Sequence, residues 1–489
     1  MVLWKKAAIL LLIMPVLTPG RASAQDSPGS ALSLDSSDER LEQCFEWAKT
    51  QAMSYAHRGD AVGSWYEAAL PNREAFCMRD ASHQAMGAHV LGLQEHTRNM
   101  LRKFAVNISD SKDWCSFWEI NRYDKPAPVD YRNDEEFWYN LPANFDVLNA
   151  CYRMYLWSHD RAYLDDPVFV EFYRRTVTDY VARWDLTLDR VLRRERFMNA
   201  GGQRREGVVH PSRGIPSYDE GRPGRTRLGV DLLAFQAAAY RAYARLSHLR
   251  GNTEDSEVFA GRSAAVCRLM EDHFWDQANG RFNELLLTDG RYAIGGDMRV
   301  YLLYNDAVTA PDRIGSTLQS LVSGRPINIE IGSHYPEIFY RYGAHEQAYH
   351  RLLELGHPQT PRREYPEVSF ALISAMAGGL MGIEPCEEAG RVATLSRLVE
   401  PLSWVELGRV PIHGNVIDVR HDGRTQTVLS NRSGQAIVWI ARFYGTGRIE
   451  ADGKALDTKA GKDAVGEPLI WAEVPVVAGS SRTARRIAP

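Results

Sequence analysis

Residues 130–155 read DYRNDEEFWYNLPANFDVLNACYRMY, and the two halves of that stretch follow different rules. The first half carries four carboxylates, Asp130, Asp134, Glu135 and Glu136, and runs into Phe137, Trp138 and Tyr139. The second half predicts a helix. Pro142 suits its first turn, where a missing N–H costs nothing. Leu141, Phe145, Leu148, Tyr152 and Tyr155 then recur at helical spacing and share one face. The stretch therefore places an acidic, aromatic loop at the start of a packed helix. Such a loop can move protons and offer a flat apolar surface to a sugar ring. A solvated acidic turn that favourably faces a helix N-terminus would have the same composition.

The 489 residues suffice for one large domain and a smaller one. With 58 basic and 62 acidic residues the formal net charge is −4, which gives no argument for a nucleic-acid partner or an anionic membrane surface. Lys5 and Lys6 precede an apolar run from Ala7 to Leu17, and Ala22-Ser23-Ala24 has the form of a cleavage site. Residues 1–24 thus read as a signal peptide and 25–38 as a flexible leader, so the protein is expected to be exported, periplasmic or extracellular. No stretch is long enough for a membrane span. Six scattered cysteines lack C-x-x-C spacing, which excludes a zinc ribbon and a thioredoxin motif.

From residue 39 to about 384 the pattern is helix after helix. One is expected near Leu41 to Ala56, and a second runs through Met86, Val90, Leu93 and Met100. Asp166-Pro167 caps and opens another. Residues 199–226, rich in Gly, Pro and Arg, form a long irregular segment of the kind that is usually functional or mobile. Tyr335-Pro336-Glu337 and Tyr365-Pro366-Glu367 form a near-repeat, each opening a helix. About eleven helical segments follow in paired order. Residues 400–489 switch to short strand-like runs with His413-Gly414, Asp422-Gly423 and Asp452-Gly453 turns, the pattern of a small antiparallel, sandwich-like β domain.

Candidate site residues follow from this layout. Asp134 or Glu135 is placed as a general acid, its pKa raised if the aromatic neighbours exclude water. Glu337 and Glu367, each just after a proline at a helix start, are further catalytic candidates, although the helix dipole alone favours acids there. Arg79 and Asp80 before an early helix, Trp118-Glu119 in a loop, Trp138, His210 in the long loop and Tyr335 are candidates for substrate binding. No His–carboxylate grouping has metal spacing. No nucleotide loop or G-x-S-x-G elbow occurs, and no cofactor is expected.

Three motifs carry a resemblance. Met78-Arg79-Asp80-Ala81 with Gln84 resembles the R-D-[AS] signature of six-hairpin (α/α)6-toroid glycoside hydrolases. Phe274-Trp275-Asp276 with Gly280-Arg281-Phe282 is similar to their recurrent F-W-D-x-x-x-G-x-F turns. Residues 131–146 loosely resemble the acid-rich R-D-E…W…D segment of α-L-rhamnosidases. Leu380 to Pro385, followed by Leu402-Ser403-Trp404, looks like the exit from the toroid into a C-terminal β domain. The resemblance covers roughly residues 76–418. It implies a mainly α fold, an (α/α)6 toroid followed by a small β domain, and an exo-acting, inverting glycosidase with a carbohydrate substrate. The carboxyl groups would then lie ~6.5–9.5 Å apart. The segment that supplies the rhamnosidases' base has no clear counterpart; Glu337, Glu364 and Glu367 are the acids in that region. Two alternatives stay open. One is a polysaccharide lyase using Arg79 with His83, His210, Tyr131 or Tyr335, and the other is a non-catalytic glycan-binding protein.

Overall fold

A computed structural model describes residues 30–194, 213–220 and 225–488. The expected signal peptide and His210 lie outside the described residues. Twelve of the helices define the architecture. They are α1 (Glu39–Ser54), α2 (Met78–Val90), α3 (Gln94–Val106), α4 (Pro142–Ser158), α5 (Pro167–Arg175) and α6 (Val230–Leu249). The rest are α7 (Thr253–Phe274), α8 (Val300–Tyr304), α9 (Pro311–Ser323), α10 (Tyr335–Arg341), α11 (His345–Gly356) and α12 (Pro366–Ser374).

Their boundaries have local causes. Asp38 caps α1 by accepting from the Arg40 N–H, and Asp166 caps α5 by accepting from the Val168 N–H. Prolines occupy the first turns of α4, α5, α9, α10 and α12. The single helix expected through Met86 and Met100 is two helices, α2 and α3. Gly92, at φ +90°, takes the left-handed conformation that ends the first, and the hydrophobic periodicity simply resumes beyond it.

Neighbour relations alternate. The even-numbered helices follow one another in space: α2 lies against α4, α4 against α6, α6 against α8, α8 against α10, α10 against α12, and α12 returns to α2. The odd-numbered helices pack on them, α7 on α6, α9 on α8 and α10, α11 on α10 and α12, and α1 on α12. Where α2 meets α12 the backbones nearly touch. A Cβ built on Gly87 would stand 2.1 Å from the Phe370 carbonyl oxygen, so a side chain is excluded there.

Two sheets form the C-terminal part. One is ordered Ser33–Ser36, Trp404–Ile412, Asn415–Asp422, Gln426–Ser433, Ser480–Ile487, Arg448–Ala451, Lys454–Ala455. The other is ordered Glu384–Pro385, Arg391–Leu395, Ile437–Tyr444, Pro468–Val476, Lys459–Lys462, and its Arg391–Leu395/Ile437–Tyr444 pair is parallel. The expected leader, 25–38, is therefore not wholly flexible: β1 (Ser33–Ser36) pairs antiparallel with residues 405–408 of Trp404–Ile412. Leu32 and Leu34 are buried, and that burial repays the ordering of the strand. No helix among the described residues is long and apolar enough to cross a membrane.

Candidate active site

Short strands aim the starts of the even-numbered helices. Ala75–Cys77 pairs with Glu119–Asn121, and the Met78 N–H donates to the Trp118 carbonyl at 3.0 Å, which sets Trp118 beside the first turn of α2. Tyr139–Asn140 pairs with Arg213–Ile215, and the Leu141 N–H donates to the Ile215 carbonyl, which joins the entry to α4 to the long segment. Residues 217–218 are in turn held by Asp231 at the start of α6. Its carboxylate accepts from the Ser217 hydroxyl at 2.9 Å and the Tyr218 N–H at 2.6 Å. Burial pushes the Asp231 carboxyl up to about 7, against those hydrogen bonds.

At the centre sits His83, one turn beyond Asp80 on α2. Its Nδ1 is 2.7 Å from Glu367 Oε1 of α12, and its Nε2 is 3.0 Å from Asp146 Oδ2 of α4. His334, immediately before α10, brings Nε2 to 3.3 Å from the same Glu367 oxygen. Tyr218 donates its hydroxyl to Asp146 Oδ2 at 3.1 Å. Asp80 accepts from the Tyr365 hydroxyl at 2.6 Å and from Arg79 Nε at 3.2 Å. Phe235, Tyr301 and Tyr304 wall the His83 ring, and the Arg79 guanidinium lies over Trp118 and Tyr218 at 5.8 and 5.4 Å. Asp80, Asp146 and Glu367 are all buried, whereas the Arg79 side chain keeps 21% exposure and marks where the cluster meets solvent.

The electrostatics split the carboxyls. Burial raises Asp80, Arg79 opposes, and the negative charge of Glu367 adds to the rise, so the carboxyl reaches about 6. Burial would raise Glu367 too, but hydrogen bonds from His334 and His83 outweigh it and hold the group well below the usual carboxylate range. Burial alone would lower His83, yet Asp146 and Glu367 carry it well above an ordinary imidazole, so it stays protonated. Burial and the charge on His83 lower His334, which is therefore neutral. His83, His334 and Glu367 could also converge on a cation, since their donor atoms lie within 4.8 Å of one another. His83 Nδ1, however, is hydrogen-bonded to Glu367, and its Nε2 makes a 3.0 Å ion-pair contact with Asp146.

The candidates from sequence divide accordingly. Glu367, Arg79, Asp80 and Trp118 come together at this cluster. Asp134 and Glu135 do not. Asp134 accepts from the Tyr131 hydroxyl at 2.6 Å and from Ser111, while Glu135 is exposed on a turn made by Asn133. Contacts from this loop toward the cluster run through the rings of Tyr131, Phe137, Tyr139 and Trp118. Burial acts to raise Asp134, but the hydroxyl donors, Lys112 and Arg213 lower it on balance, the reverse of the raised carboxyl expected of it. Trp138 is buried, with its indole N–H donating to Asn140, and is no exposed platform. Glu119 is buried and bound by Arg73 at 2.7 Å. Tyr335 is buried in the turn at the start of α10 against Phe339.

Glu337 faces elsewhere, toward a cavity of about 360 Å³ lined by residues of α2, α4 and α10, by Asp306 after α8 and by residues from 378 to 397 that lead into the β sheets. Arg153, Arg341 and Ser374 hold it, and they keep its carboxyl below the ordinary value despite burial. The reading from sequence missed His334, which directly precedes Tyr335-Pro336-Glu337. It met Asp146 only within the resemblance and His83 only as a lyase candidate. The available signal was helical spacing: His83 stands three residues after Asp80, on the same face.

No protein-family model and no curated protein matches the chain by sequence. Its fold is similar to those of solved GH78 α-L-rhamnosidases and of a putative kojibiose phosphorylase. The α-L-rhamnosidase from Dictyoglomus thermophilum superposes with a TM-score of 0.59 at 11% identity, over 94% of this chain and 51% of that one. The GH78 rhamnosidase of Bacillus sp. GL1 gives 0.57 at 12% identity, over 82% and 41%. A putative kojibiose phosphorylase from the human microbiome gives 0.58 at 9% identity, over 91% and 63%. The chain thus spans less than two thirds of the length of each of these proteins.

Proposed function

We propose that the protein is an exported glycoside hydrolase on an (α/α)6 toroid of six hairpins. In this reading it acts on the end of an oligosaccharide or polysaccharide, with inversion, at the helix starts around Arg79. The observation that carries the reading is the divergence of two buried neighbouring carboxyls, Asp80 raised to about 6 and Glu367 lowered. Environments that push two carboxyls apart suit an acid and a base. The closed succession of even-numbered helices supports the toroid.

Asp80 is the general acid. Its proton passes to the glycosidic oxygen as the bond from that oxygen to the anomeric carbon breaks. A water on the opposite face attacks the anomeric carbon, and Glu367 takes the water's proton. Tyr365 and Arg79 orient Asp80, while His83 and His334 orient Glu367. Trp118 and Tyr218, under the Arg79 guanidinium, supply the apolar surface for the ring. The lyase alternative is weakened by the contacts its candidates make. A protonated His83 cannot remove a proton, and the Tyr131 hydroxyl is committed to Asp134.

The test is product analysis. The full chain is incubated with aryl α-L-rhamnosides, aryl glucosides and plant or microbial oligosaccharides, with proton NMR following the anomer first released. Reducing ends with inverted configuration support the reading. A product absorbing near 235 nm would indicate elimination instead, and sugar binding without turnover would indicate a binding module.

A further inference from the structure

The cavity beside Glu337 is used by nothing in the catalytic reading. We infer that it is a second, non-catalytic binding site, for an uncharged sugar. The inference does not rest on the catalytic assignments of Asp80 and Glu367.

Three observations carry it. The first is charge balance. Three guanidinium groups, Arg153, Arg341 and Arg397, line the cavity with three carboxylates, Asp306, Glu337 and Glu384. Each is paired along the wall: Arg341 with Asp306 at 3.1 Å and Glu337 at 2.7 Å, Arg153 with Glu337 at 3.4 Å, and Arg397 with Glu384 at 3.3 Å. A charged ligand would meet a like charge beside every opposite one. A hydroxyl, which both donates and accepts, meets a partner at every point of such a wall. The bonds that Asp306 takes from Arg341 and Tyr342 both arrive at Oδ1, so the carboxylate keeps acceptor capacity at Oδ2.

The second is the apolar share. Met86, Leu156, Trp157, Ile383 and Pro385, with Gly378, complete the lining, so the site pairs fixed polar groups with a surface for the C–H face of a pyranose. The third is depth. Side-chain exposure falls from 54% at Asp306 and 41% at Glu384 to 15% at Glu337 and 7% at Arg397. The cavity is therefore open at one side, and its volume of about 360 Å³ lies within the range of small-molecule sites, roughly 300–1,000 Å³. The acids here are poor proton donors. In Asp306, Glu337 and Glu384 alike, the arginines outweigh burial and keep the carboxyl below its ordinary value. Binding without chemistry is what this lining supports.

The experiment titrates L-rhamnose and D-glucose calorimetrically into three proteins, the full-length wild type, Asp80→Asn and Asp306→Asn/Glu384→Gln. D-Glucuronate and inorganic phosphate serve as charged probes. Asp306 has φ +47°, which asparagine also tolerates, but both acids pair with arginines, so the melting temperature of the double variant is measured first. The expected result is neutral-sugar binding that persists in Asp80→Asn and weakens by about tenfold or more in the double variant. If the double variant melts early, hydrogen exchange on the wild type decides. Added sugar should then protect residues 153–157 and 380–386. Sugar binding lost in Asp80→Asn but intact in the double variant overturns the inference. So does binding of the charged probes alone, or no protection and no binding of either sugar.

Discussion

Asn at position 80 should separate catalysis from stability. The substitution keeps the shape of the side chain, and its amide oxygen can still accept from the Tyr365 hydroxyl. What it removes is the proton given to the leaving group and the charge that faces Arg79. The first loss should lower the rate on an unactivated glycoside by ~10²–10⁴-fold, or about 3–5 kcal/mol of barrier. The second loss should on balance stabilise the fold at neutral pH. Raising the Asp80 carboxyl from its ordinary 3.8 to about 6 corresponds at pH 7 to about 3 kcal/mol held against the ionised form. The attraction of Arg79 is already part of that balance, so its loss adds no further cost. Because the folded-state value is raised, the contribution of Asp80 to stability is complete below 3.8 and lost as pH rises through about 6. The variant should therefore gain on the wild type as pH rises from about 4 to about 6 and hold that gain above it. The assay pairs thermal melts across that range with kinetics on the natural glycan and on an aryl glycoside, whose leaving group scarcely needs a proton. Wild-type activity on the glycan should fall as pH rises through about 6, and the variant should recover most of its activity on the aryl glycoside. Unchanged turnover of the glycan by Asp80→Asn, or no recovery on the aryl substrate, would refute the assignment of Asp80 as the acid.

His83→Ala leaves Asp146 and Glu367 buried without the cation between them, and should cost about 3–5 kcal/mol in urea unfolding at pH 6. Since the folded-state value of His83 is raised, the stability it adds is full below 6.5 and is lost as pH climbs through that higher value, so the gap to wild type should narrow in alkali. Gly87→Ala drives a Cβ to 2.1 Å from the Phe370 oxygen, and should destabilise by at least the ~1–3 kcal/mol of an overpacked core, again read in urea. Gly261→Ala is its control. That glycine is exposed within α7 with nothing within 4 Å of the added Cβ, and the change should stabilise by ~0.5–1 kcal/mol.

Much of the fold was legible from local rules. Pro142, Asp166-Pro167 and the two Tyr-Pro-Glu turns mark helix starts because capping and proline geometry act within one turn of chain. The turns at Gly414, Gly423 and Gly453 mark hairpins for the same reason. The helix predicted across Gly92 failed because periodicity carries no record of one left-handed residue. The leader failed because a polar strand such as Ser33–Ser36 is stable only on the edge offered by Trp404–Ile412, some 370 residues away. The candidate cluster was legible in part. Glu367, Arg79, Asp80 and Trp118 stood out by residue type and place, but Asp134 and Glu135 stood out more. Density of acids in sequence says nothing of which carboxyl loses its water.

The sequence by itself determined the helical pairs, the late β region and the pool of acids and aromatics, because propensity, capping and periodicity are short-range. The tertiary structure decided which acids share one buried cluster. Asp80, Asp146 and Glu367 lie 66 and 221 residues apart in succession, and only packing of α2, α4 and α12 brings them around His83. It also sent Glu337 to the cavity lined by Arg153 and Arg341 and Glu367 to His83 and His334, although both open a helix with the same three residues. The physical reason is that a carboxyl's character is set by burial and by the charges within a few ångströms, and those neighbours come from distant parts of the chain.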